Sequence, residues 1–247
     1  MCNVKCGMLI VAMIFVLFSL LVAETIHFTI DYMGLSVANI QFVNERLEEG
    51  SLLTVSASST RLSSVFSISF NNIYEILSDS LFLPVVYSKD IDQRNFREMS
   101  QTTYCFVDLK ADFHDTVSSL QHNYLINDDT RDIFSALFYL RTLDLRENIS
   151  FTIDAAGKMW TITSRFVGSE RLRTNIGSFQ TNRVEITFEQ YDDTRGLRSD
   201  ILTNNLVNED NRLIFWFTDD ENQIPVRASY NMRPFNVNWT IRRYLPS

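Results

Sequence analysis

Residues 235–242 run Phe-Asn-Val-Asn-Trp-Thr-Ile-Arg, apolar and polar in strict turn. That order suits an extended strand with one face buried and one wet, because successive strand side chains point to opposite faces. The same period of two recurs along the chain. Phe28, Ile30 and Tyr32 alternate with Thr29 and Asp31, and after a turn at Gly34 the pattern resumes over 37–43. Leu53, Val55 and Ala57 repeat it, as does segment 64–70. Trp160, Ile162 and Phe166 share a face, and Val184, Ile186 and Phe188 alternate with Glu185 and Thr187. Segment 81–87 is a further strand whose Pro84 suits a sheet edge or a bulge.

One segment departs from this period. In 128–142, apolar residues fall at 133, 134, 137, 138 and 140, the spacing of a wide helix face. A single helix of about three turns is predicted there, started by Asp129 or Thr130 as cap and ended by Arg141 at the negative pole of the dipole. Segment 192–211 is polar and charged and is predicted to be a long surface loop. No Pro/Gly/Ser-rich linker and no repeat divides the chain, so residues 24–247 are expected to form a single β-rich domain. The predicted fold class is mainly β, a strongly curved antiparallel sheet or open β-barrel with one packed α-helix.

Ahead of that domain, 8–23 reads MLIVAMIFVLFSLLVA, without a charge and preceded by Lys5. Residues 1–23 are predicted to be a signal peptide or an N-terminal membrane anchor. Ala23 suits the last position before cleavage, while the large Leu21 two places earlier keeps the anchor open. The expected location is the periplasm or cell envelope, reached through this N-terminal signal, with membrane association through the same segment. Beyond it Cys105 is the single cysteine, so no internal disulfide is expected. Its neighbours Tyr104, Phe106 and Val107 predict a buried, inert thiol. The formal net charge of −8 argues against nucleic acid as a partner.

Candidate chemistry is sparse. Asp219, Asp220 and Glu221 stand in a row between the strand-like runs 213–217 and 224–230. A hairpin turn accounts for them, whereas a Ca²⁺ loop needs an ordered array of oxygens with a Gly that is missing here. His27, His114 and His122 show no zinc-ligand spacing, and no G-x-S-x-G, P-loop or G-x-G-x-x-G occurs. No catalytic residue, metal ligand or cofactor is assigned. The 19 Phe, 9 Tyr and 3 Trp either fill an ordinary core or line a curved sheet that takes an apolar ligand.

Four segments, in order, carry a resemblance. They are Phe28-Thr-Ile-Asp-Tyr-Met-Gly-Leu-Ser-Val-Ala-Asn, Asp132-Ile-Phe-Ser-Ala-Leu-Phe-Tyr-Leu-Arg-Thr-Leu, Gly168-Ser-Glu-Arg-Leu-Arg-Thr-Asn-Ile-Gly-Ser-Phe and Phe215-Trp-Phe-Thr-Asp-Asp-Glu-Asn-Gln-Ile-Pro-Val. Together they resemble a bacterial family of exported proteins known as domain of unknown function 3108. The positions that match its pattern are Tyr32, Gly34, Asp132, Ser135, Leu137, Tyr139, Arg141, Glu170, Gly177, Phe179, Trp216, Asp219, Asp220 and Pro225. Ala38 stands where a second Gly is usual, and Gln223 where a basic residue is common. The resemblance implies a β-rich envelope protein and no particular activity.

Physical roles are expected for several of these residues. Gly34 and Gly177 suit turns that need positive φ. Arg141 and Glu170 are expected to pair, holding the helix to the sheet. Asp219 or Asp220 is expected to cap its own hairpin. The function anticipated is non-enzymatic, with a lipid, another apolar ligand or an envelope component held along the curved sheet. The alternatives are an envelope scaffold and, third, a hydrolase acting on an envelope polymer.

Overall fold

A computed structural model describes residues 23–192 and 196–247. The predicted leader or anchor therefore lies, through residue 22, outside the described residues. The chain opens with β1 (Ala23–Tyr32), β2 (Leu35–Leu47) and β3 (Gly50–Ser59), then a 3-10 helix (Arg61–Phe66). Next come β4 (Phe70–Ser78), β5 (Pro84–Gln93), β6 (Phe96–Cys105), β7 (Lys110–Asp115), β8 (Leu120–Leu125) and the two-residue β9 (Arg131–Asp132). Helix α1 (Ile133–Leu140), β10 (Ile149–Asp154), β11 (Met159–Thr174), β12 (Gly177–Gln190) and helix α2 (Ile201–Leu206) follow. The chain closes with β13 (Arg212–Thr218), β14 (Pro225–Met232) and β15 (Phe235–Leu245).

Among the described residues all strands form one sheet, in the order β8-β7-β6-β5-β4-β3-β2-β1-β15-β14-β13-β12-β11-β10-β9. Neighbours are antiparallel except β9 beside β10. Two meanders thus run outward from a central seam where β1 pairs with β15, with Ile30 opposite Trp239. The margins, β8 and β9, do not pair, so the sheet stays open. It curls all the same, because α1 touches both halves. Phe134 packs on Phe42 of β2 and on Tyr74 of β4 at 4.8 Å between ring centroids, while Tyr139 meets Phe151 of β10 edge-on. The predicted class, a strongly curved mainly antiparallel sheet around a packed helix, is the architecture observed.

Local chemistry explains the elements. Met33 and Gly34 both take positive φ (54° and 76°), as the tight β1–β2 turn requires. β4 alternates buried and exposed along its whole length, the outcome of one face on the core. Helix α1 has eight residues, too few to hold alone. Burying Phe134, Leu137, Phe138 and Leu140, at about 1.5–3 kcal/mol each, is what keeps it folded.

At the level of the fold, the structure corrects four expectations. Segment 64–70 is not a strand: it begins inside the 3-10 helix, and only Phe70 enters β4. The 192–211 stretch holds α2, started by Asp200. α1 is shorter than predicted and its cap is Asp132, because Arg131 and Asp132 are drawn into a parallel bridge with β10 before the helix begins. Of the two settings expected for Pro84, the bulge is the one observed: it opens β5 in the sheet interior, at a register shift between Leu77 and Ser78. Cys105 is half-buried rather than buried, with its Sγ 3.6 Å from Asp108 at a turn.

Candidate functional site

Helix α1 is fixed at both ends. Asp132 Oδ1 accepts from the backbone N–H groups of Phe134 and Ser135 at 2.9 and 3.0 Å. Its other oxygen, Oδ2, has no partner among the described residues, and neither does Ser135 Oγ. Complete burial raises the Asp132 carboxyl above its usual range despite those bonds. Just before it, the Arg131 guanidinium lies 3.4 Å from the centroid of the Tyr139 ring and donates to the Leu81 carbonyl. At the far end, Gln223 Nε2 donates to the carbonyls of Arg141 and Leu143 at 2.7 and 2.8 Å. These are groups that a helix C-terminus otherwise leaves unpaired.

Arg141 does not meet Glu170. It makes a two-pronged pair with Glu24 of β1, at 2.7 and 2.6 Å, and also donates to the Asn222 carbonyl. Glu170 lies on the outer reach of β11, beyond the register shift at Gly168, and accepts from Trp216 Nε1 at 2.5 Å. Sequence reasoning chose the wrong acid, since no local signal marks Glu24 as a partner 117 positions away.

The acidic run forms the β13–β14 turn. Asp220 Oδ1 accepts from the Thr218 hydroxyl and from the N–H groups of Asn222 and Gln223. Asp219 accepts from Asn182 Nδ2 at 2.8 Å and pairs with Arg146. Both carboxylates shape the turn that delivers Gln223 and the Asn222 carbonyl to α1. Pro225 begins β14 opposite Phe217. The remaining matched positions lie elsewhere. Tyr32 stacks edge-on with Phe66 and Phe235 beside the Gly34 turn, and Gly177 (φ 153°) sits where a Cβ would come 3.2 Å from the Phe179 ring. Of the fourteen, Asp132, Ser135, Leu137, Tyr139, Arg141, Asp219, Asp220 and Pro225 gather in or around α1.

Two further buried acids were not anticipated. Asp154, at the end of β10, accepts from Tyr104 of β6 at 2.8 Å, from Tyr124 of β8 and from the N–H of Gly157. Asp200 caps α2 and accepts from Tyr74 at 2.8 Å. Burial first, and these carboxylates second, push the three tyrosines well above their ordinary range. Each acid is enclosed by protein donors, so these carboxylates form no open cleft of the kind a glycosidase needs.

Beneath α1 lies a cavity of about 60 Å³. Ala136, Leu137 and Leu140 roof it, Ile162, Phe215 and Trp239 form part of its floor, and Leu206 and Val207 at the end of α2 close one side. All the lining residues are apolar in type, and the indole N–H of Trp239 finds no acceptor among the described residues.

The sequence profile of the family described as "Protein of unknown function (DUF3108)" matches residues 27–234. No curated protein matches the chain. Among solved structures, a β-barrel-like protein of domain of unknown function DUF1849 from Brucella abortus superposes with a TM-score of 0.56. It has 13% sequence identity, covering 92% of this chain and 98% of that one. A candidate exported protein with a YmcC-like fold from Bacteroides fragilis aligns with a TM-score of 0.36, 9% identity and coverage of 90% and 95%. A candidate lipoprotein from Parabacteroides distasonis gives 0.37, 11%, 90% and 95%. Scores of 0.36 and 0.37 do not establish a shared fold.

Proposed function

The chain belongs to the DUF3108 family of proteins of unknown function, and on that premise we propose that it is a non-enzymatic protein of the cell envelope that holds an apolar ligand beneath α1. The observation that carries this reading is the apolar cavity between α1, the inner face of the sheet and α2. Apolar cavities stay dry and take up apolar guests. The unpartnered Trp239 indole offers one donor to fix a guest's orientation. The uncharged run at 8–23 supports an exported, periplasmic location, with membrane attachment if the run is retained.

Size sets the class of guest. At about 60 Å³ the resting cavity is smaller than the roughly 150 Å³ that admits benzene in an engineered protein. A chain end fits, and a longer acyl chain requires α1 to lift. The test uses the uncharged fluorophore N-phenyl-1-naphthylamine, whose rings exceed the resting cavity and enter as α1 lifts. The wild type should bind it with enhanced fluorescence, and Ala136→Phe, which fills the roof, should weaken binding about tenfold while staying folded at a cost of about 1–3 kcal/mol. Ile162→Phe fills the floor and serves as the check if the first variant fails to fold. No uptake by the wild type, or unchanged uptake by a folded filled variant, would overturn the proposal.

A further inference from the structure

At the end of the molecule where α2 begins, a second and larger hollow of about 440 Å³ opens to solvent. Its lining contains arginines, amides, hydroxyls and the rings of Phe70 and Phe96, and no Asp or Glu. That is unusual surface for a chain of net charge −8. Arg198 is held in place, stacked 4.7 Å from the Phe96 ring centroid and donating to the Asn95 carbonyl at 2.9 Å. The Arg94 guanidinium has no partner among the described residues. Gln93 accepts from the N–H of Ile201 through Oε1, and its Nε2 is buried without an acceptor. Asp200, next to Ser199 of the lining, has its oxygens taken by Tyr74, Ser199, Leu202 and Thr203, and Glu98 and Asp115 line a separate hollow on the other side of Phe96 and Arg198. Among the described residues, neither Arg94 nor Arg198 is held in an ion pair, and the donors converge on the hollow.

The hollow does not end at its polar wall. Ile68, Phe70, Ile201 and Asn205 also line an apolar crevice of about 50 Å³ beneath α2. The floor of that crevice includes Tyr230 and Val237. Two residues further along the same strand faces lie Ala228 and Trp239, which line the cavity under α1. An apolar track thus leads from the arginine-bearing mouth, beneath α2, toward the proposed ligand cavity.

We propose that this mouth binds the anionic oxygen headgroup, phosphate or carboxylate, of a single-chain amphiphile whose tail runs beneath α2. Arg94 and Arg198 hold the oxyanion, with Gln93 Nε2 as a further donor. The inference rests on the apolar-ligand reading above and adds the headgroup chemistry and the route of entry.

The experiment titrates the full chain with dodecyl phosphate below its micelle concentration, with uncharged dodecanol, and with inorganic phosphate. Dodecyl phosphate should bind about tenfold more tightly than either, the scale expected for charge-assisted hydrogen bonds to partly exposed arginines. In Arg94→Gln/Arg198→Gln its affinity should fall to that of dodecanol, with dodecanol unaffected; the single variants provide the check if the double variant does not fold. Equal binding of dodecyl phosphate and dodecanol, or no response to the arginine changes, would overturn the headgroup assignment while leaving the apolar cavity standing. Inorganic phosphate matching dodecyl phosphate, with dodecanol silent, would make the mouth a free-anion site and remove the apolar reading. Silence from all three ligands would overturn both.

Discussion

Asp132 spends one carboxylate oxygen on two backbone N–H groups and leaves the other without a partner among the described residues. Burial outweighs the capping bonds, so the folded carboxyl holds its proton to higher pH than the unfolded one, whose ordinary value is 3.8. A raised folded pKa contributes stability that is present at low pH and is lost as pH rises through the folded value. Asp132→Asn keeps the cap but cannot titrate. We expect it to melt above the wild type at pH 8, because Asn, like the protonated acid, caps without burying a charge. On acidification the wild type should catch up, by about 1.4 kcal/mol for each unit separating the two pKa values. Paired thermal melts between pH 8 and pH 4 test this, and a constant or widening gap refutes it. The cap itself was only partly legible beforehand. Asp129, Thr130 and Asp132 are all capping residues within four positions, and the choice falls to Asp132 through a β9–β10 bridge formed across the chain.

At the scale of elements, α1 depends on the β13–β14 turn. Gln223 satisfies two carbonyls at the helix C-terminus, so Gln223→Ala should cost about 1–2 kcal/mol and lower the melting temperature by several degrees. Gln223→Arg, which restores the basic residue common in the family pattern, keeps a donor within reach of the same carbonyls and should melt near the wild type. An alanine variant as stable as the wild type would show that the turn merely abuts the helix. Elements were legible where one face is apolar. β15 and β12 announced themselves through Val237, Trp239, Val184 and Ile186. β6 turns Glu98, Ser100 and Thr102 inward, where Glu98 lies 3.8 Å from Lys89, and an inner face of that composition erases the alternation. α2 was missed because a six-residue helix in a polar stretch shows too little periodicity. The site residues that matter most, Glu24, Gln223 and Asp200, owe their roles to partners far away in the chain.

For the molecule as a whole, the open margins of the sheet are drawn together by side chains rather than by a ladder. Asp154 near one margin receives Tyr104 and Tyr124 from strands at the other. Tyr104→Phe/Tyr124→Phe removes two of the three donors to a buried carboxylate, at about 1–3 kcal/mol apiece, and leaves the Gly157 N–H. Hydrogen exchange in β8 and β10 should then quicken about tenfold or more, while the β1–β15 seam stays protected. Uniformly faster exchange would mean that the tyrosines support the entire fold instead of the margins. The seam itself bears on how the chain acquires its shape. Because β1 and β15 sit side by side at the centre, the earliest strand cannot be completed until the latest one arrives. Such distant pairing makes assembly slow, and through that interval β1 presents a bare backbone edge to any neighbouring chain. Dilution, or a chaperone that shields this edge, should therefore govern how much protein reaches the finished state.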